Sequence, residues 1–158
     1  MTDRVSVVAA LFVIGLSSGC WAAELGCDFQ ADQRVSVDRG WIEVEQGRDE
    51  SHQLLRLAVW GPTTVAASCE QLDADVDPEV AIISRLEGTG PYYRLQIVDF
   101  DPDGIRTWSY WSAGVPKLED HRVLLGVLPQ GYQGAGSVPQ YTAYRYTETG
   151  LAKEPVAP

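Results

Sequence analysis

The chain has 158 residues, 45% hydrophobic and 22% charged, with 22 Asp+Glu against 12 Lys+Arg for a net charge of −10. That length and apolar content fit one domain with its own core and exclude a largely disordered chain. The acidic balance, with no cluster of Lys or Arg, excludes nucleic acid and anionic membrane surfaces as partners, because a phosphate backbone needs a basic face.

Residues 1–22 have the layout of a secretory signal peptide. Arg4 is the one basic residue ahead of the uncharged run Val5 to Gly19, and polarity rises at Glu24. The run is shorter than the ~20 residues that span a bilayer, and no later segment comes closer. Small residues at Cys20 and Ala22 predict cleavage after Ala22. Leu16-Ser17-Ser18-Gly19-Cys20 resembles the lipobox of bacterial lipoproteins, with Ser17 where the pattern wants Leu. That resemblance implies, as the alternative, a lipid anchor through Cys20. Whether Cys20 is removed or acylated, Cys27 and Cys69 remain as a pair in an oxidising setting and predict one disulfide. In the chain-entropy model a loop of that length is worth about 4 kcal/mol. Neither His52 nor His121 stands at a metal-ligand spacing from a cysteine.

Beyond the signal, the pattern is period-two alternation broken by turn residues, without a helical period. Arg34 to Asp38 and Trp41 to Glu45 alternate around Arg39-Gly40 and predict a hairpin. Gln53 to Trp60, Thr63 to Ser68 and Val80 to Glu87 are further strands, with an acidic loop or short helical turn over Glu70 to Glu79. The clearest unit is a hairpin over Tyr92 to Ser112, turned at Asp101-Pro102-Asp103-Gly104. Its register places Phe100 opposite Ile105, Asp99 opposite Arg106, Ile97 opposite Trp108 and Leu95 opposite Tyr110. Asp99, Ile97, Leu95 and Tyr93, with Arg106, Trp108 and Tyr110, make the core face. Tyr92, Arg94, Gln96, Val98, Thr107, Ser109 and Trp111 make a mixed, half-wet face on which Arg94 and Trp111 form a cation–π pair.

Lys117 to Arg122 reads as a charged bend, Val123 to Leu128 as a strand, and Pro129 to Ser137 as a Gly-rich loop around Tyr132. Gln140 to Thr147 is the last strand. The whole is an all-β fold over residues 23–150, a single antiparallel β-sandwich or open β-barrel with one disulfide, followed by a flexible tail over 151–158.

Two acidic strings bear on chemistry. Asp99, Asp101, Asp103 and Gly104 match the first, third, fifth and sixth positions of a calcium loop, but Tyr110 stands where the closing Glu belongs. The same core resembles the metal loops of FG-GAP-like propeller repeats, which want another Asp where Thr107 stands. A plain turn is the preferred interpretation, with calcium as the alternative and no cofactor expected. Asp73, Asp75, Asp77 and Glu79 form the second string. Pro78 occupies the glycine position there, which predicts a solvated loop. Motifs for nucleophilic, zinc or phosphate chemistry are missing, and Glu119-Asp120-His121 reads as a surface charge cluster.

The aromatic side chains of the last third remain. Arg94, Trp111, Tyr132, Tyr144 and Tyr146 predict a recognition surface for another protein of the cell envelope or for a glycan, since Tyr and Trp give contact area at low entropy cost. The expected function is a secreted or periplasmic non-catalytic binding module that inhibits or protects an envelope enzyme. The alternative is a small carbohydrate-active or metal-dependent hydrolase.

Overall fold

The computed structural model describes residues 22–25, 33–38, 40–46, 53–60, 63–73, 75, 77–88, 90, 92–101, 104–129 and 138–155. The signal segment 1–21, Cys27 and the Gly-rich loop with Tyr132 lie outside the described residues.

Twelve strands and no helix are formed among the described residues. They are β1 (Ala22–Leu25), β2 (Gln33–Asp38), β3 (Trp41–Gln46), β4 (Gln53–Ala58), β5 (Thr63–Glu70), β6 (Glu79–Arg85), β7 (Tyr93–Asp101), β8 (Gly104–Ser112), β9 (Lys117–Glu119), β10 (Arg122–Val127), β11 (Gln140–Thr147) and β12 (Gly150–Lys153). They make three antiparallel four-stranded meanders, β1–β4, β5–β8 and β9–β12, each with its strands in chain order. Among the described residues the strands do not close into a barrel. The predicted sandwich therefore has three sheets instead of two.

The reason lies in the middle meander. In β6, Val80, Ala81, Ile82 and Ile83 are all buried, and in β7 so are Leu95, Gln96, Ile97, Val98 and Phe100. Since alternate residues of a strand point to opposite faces, this sheet is covered on both sides. One face, carrying Val80, Ile82, Val98 and Phe100, packs on Val35, Val37, Ile42, Val44 and Val59 of the first meander. The opposite face, carrying Ala81, Ile83, Leu95 and Ile97, packs with Leu72 on Val123, Leu125 and Tyr146 of the third. Trp108, Tyr110, Tyr93, Tyr144 and Leu151 border that second core. Each fully buried Leu or Ile contributes about 1.5–3 kcal/mol by leaving water.

The β7–β8 register is the predicted one, from Phe100 opposite Ile105 to Arg94 opposite Trp111. Its second face is drier than the sequence suggests. Val98 is 0% and Gln96 2% exposed, because the first meander covers them. Gln96 tolerates burial by acting as a backbone surrogate: its Nε2 donates to Ala58 O (3.0 Å) and its Oε1 accepts from Trp60 N (2.9 Å).

Two further corrections concern the third meander. The charged bend is a tight hairpin in which Glu119 pairs with Arg122 and both turn residues, Asp120 (φ 51°) and His121 (φ 60°), are left-handed. That is the type I′ geometry, here without the glycine or asparagine that would have announced it. The start of the supposed tail is β12, paired with β11 from Thr147 opposite Gly150 to Tyr144 opposite Lys153. Gly150 has φ +106°, and a Cβ there would collide with the Tyr110 hydroxyl and crowd the Trp108 indole. Leu151 N donates to Tyr110 Oη (2.8 Å), fastening the strand to the core.

Candidate functional site

Arg94 and Trp111 meet as expected: the guanidinium carbon lies 5.0 Å from the indole ring centroid. Trp111 is 63% exposed on β8, which among the described residues pairs only with β7, at the border of the middle sheet. Two tryptophans missed in the sequence are also exposed, Trp41 at the start of β3 and Trp60 beyond β4. Trp60 is held near this region because its backbone N–H bonds Gln96, two residues along β7 from Arg94. Trp41 pairs with Ala58, two residues before Trp60. The signal that would have flagged them was their place at strand ends, where a bulky ring has no core to fill.

Of the other predicted surface residues, Tyr132 lies outside the described residues and two are elsewhere. Tyr146 is buried in the second core, edge-on to Trp108 with ring centroids 5.4 Å apart, and its hydroxyl donates to Asp99 Oδ2 (3.2 Å). Tyr144 borders the same core. Both therefore lie on the opposite side of the middle sheet from Trp111 and Arg94 and share no surface with them.

The acidic strings also part ways. Asp99, only 3% exposed, is ion-paired with Arg106 (Nη2 to Oδ2, 2.8 Å). Its carboxylate is thus committed to structure, which removes the first ligand of the supposed calcium loop. Burial raises its pKa, against the lowering effect of Arg106 and of the Tyr146 hydrogen bond. Asp101 is placed as the last residue of β7, and Asp103 lies outside the described residues.

In the second string, by contrast, Asp73, Asp75 and Glu79 each offer an oxygen, and these lie within 4.8 Å of one another. Glu79 is the first residue of β6 and is fully buried, so the predicted solvated loop is wrong at that end. Its Oε2 accepts from Leu72 N (2.7 Å), and its Oε1 is buried without a partner. Desolvation pushes its pKa up to about 8, the Asp73 and Asp75 charges add to the rise, and the Leu72 hydrogen bond opposes it. The loop is shaped by its own acids: Asp73 Oδ1 accepts from Asp75 N and Asp75 Oδ1 from Asp77 N, both at 3.0 Å. Burial and the Asp73 charge raise the Asp75 pKa as well.

Asp73 and Asp75 line an open groove of about 1120 Å³, whose other walls include Arg106, His121, Arg145 and Thr149. His121 Nδ1 donates to the Gln71 carbonyl, tying the left-handed turn to the acidic loop. Glu79 itself does not line the groove. No helix is long and apolar enough to cross a membrane among the described residues.

No family model, no curated protein and no solved structure matches this chain.

Proposed function

We propose that the protein is a secreted or periplasmic binding module that takes another protein of the cell envelope on the surface around Trp111 and Arg94, as an inhibitor or protective partner. The observation that carries this is Trp111: a large ring, 63% exposed, steadied by a guanidinium 5.0 Å from its centroid instead of by a core. An anchor ordered before contact loses little entropy on binding, and Trp and Arg are the side chains that dominate protein interfaces. The outward aromatic on a sheet border suits a protein face better than a glycan, which is usually gripped in a cleft.

Export rests on the signal layout, with a lipid anchor at Cys20 as its alternative form. The Cys27–Cys69 disulfide draws support from placement. β1 ends at Leu25, two residues before Cys27, and packs beside β5, which carries Cys69. Intact mass of the exported protein, before and after reduction and alkylation, tests both.

A photo-crosslinking residue at position 111, compared with one at exposed Ala152, tests the binding role in the producing cell. A defined protein adduct at 111 that Arg94→Glu abolishes supports it. Equal adducts at both positions overturn it, and a saccharide adduct replaces the protein by a glycan. The hydrolase alternative is favoured by Asp73 and Asp75 on the groove wall, and turnover of an envelope polysaccharide lost in Asp73→Asn would put it first.

A further inference from the structure

We propose that Asp73, Asp75 and Glu79 form a divalent-cation site of the calcium type, where the acidic loop runs into β6. One oxygen from each lies within 4.8 Å of the others. Calcium holds its oxygens at about 2.4 Å, so ligands on opposite sides of one ion stand at most about 4.8 Å apart, and the three fit around a single centre.

Acidic residues gathered on a loop require no ion, and Glu79 is what distinguishes this group. It is fully buried and aimed at the two aspartates, and its Oε1 has neither a hydrogen bond nor water access. A buried carboxylate oxygen without a partner is costly, and an ion or a proton is what can relieve it. Among the described residues no basic side chain pairs with any of the three, and Arg106, on the groove wall, is engaged by Asp99.

The surroundings set the class of ion. Backbone N–H groups hold one oxygen of each aspartate and so fix both carboxylates on the loop. Asp73 and Asp75 line the groove, so water completes the shell on that side. His121 is not available as a nitrogen ligand through Nδ1, which donates to Gln71 O. An all-oxygen set with three carboxylates on an irregular loop suits a hard cation that tolerates irregular geometry, which favours calcium over magnesium and over zinc. The site does not depend on the binding role proposed for Trp111, which lies on the other face of the middle sheet.

The test is calorimetric titration of the chelator-stripped full chain with calcium chloride at neutral pH, alongside thermal melts. One ion per chain and a melting temperature several degrees higher in calcium than in chelator are expected, since binding to the folded state alone stabilises it. Asp75→Asn changes an exposed residue and spares folding. It should weaken calcium at least about tenfold, as loss of a coordinating group does, while Glu87→Gln on the far side leaves it unchanged. Absence of heat and of a melting shift at millimolar calcium overturns the site. So does binding that is equally strong in Asp73→Asn and Asp75→Asn, which would mark a diffuse acidic surface.

Discussion

The two faces of the middle sheet bury comparable numbers of side chains by different chemistry. Toward the first meander the contact is aliphatic apart from Phe100 and the buried polar side chains of Gln96 and Ser84, and no carboxylate is buried there among the described residues. Toward the third meander the aliphatic centre is bordered by Trp108, Tyr110, Tyr144 and Tyr146, and its end holds Asp99 and Glu79. The first face closes mainly by apolar area. The second is closed only where a charge finds a partner, and it leaves one carboxylate oxygen without one. Pressure from pH, salt or a cation should therefore act on the second face and spare the first.

The largest effect is expected from Trp108→Ala, at about 3–5 kcal/mol, because the ring borders the second core and packs edge-on against Tyr146. Trp111→Ala, across the sheet, should cost under about 1 kcal/mol. Denaturant curves on the two variants compare them directly, and a Trp111 variant less stable than the Trp108 one would reverse the assignment of faces. Arg106→Ala follows at about 3 kcal/mol, since it strands the buried Asp99 carboxylate.

The pH response sharpens the contrast further. Glu79 titrates near 4.5 in the unfolded chain and at about 8 in the fold. Between those values the folded state holds a proton that the unfolded state lacks, so stability measured in chelator should fall as pH rises from about 4.5 to 8 and then level off. Glu79→Gln should flatten that slope, and melts across the pH series check it. The smallest effect belongs to the outer side of the first meander. Arg56 and Glu43 pair at 2.7 Å but are 59% and 25% exposed, so Arg56→Ala should change stability by less than about 1 kcal/mol.

Much of the fold was legible because hairpins write themselves locally. Alternation and the Arg39-Gly40 and Asp101 to Gly104 turns placed β2, β3, β7 and β8, and the register followed by counting. The third layer was not legible, because coverage of Val98 and Gln96 by a distant meander leaves no local mark beyond a lapse in alternation. The site divided along the same line. Arg94 and Trp111 are cross-strand neighbours and could be paired from sequence. Glu79 was read as one more loop acid because nothing in the neighbouring sequence marks the burial that the fold gives it.

The strictly sequential strand order also has a kinetic consequence. Every strand pairs with its chain neighbour, so each meander can form as soon as its own residues are available, and contacts within a sheet close only short loops. During N-to-C synthesis the first meander is ready to cover one face of β5–β8 as that sheet emerges. The other face, with Ala81, Ile83, Leu95 and Ile97, stays bare until residues 117–153 have been made. That interval is when the chain is most prone to stick to another copy of itself, and the third meander is what ends it.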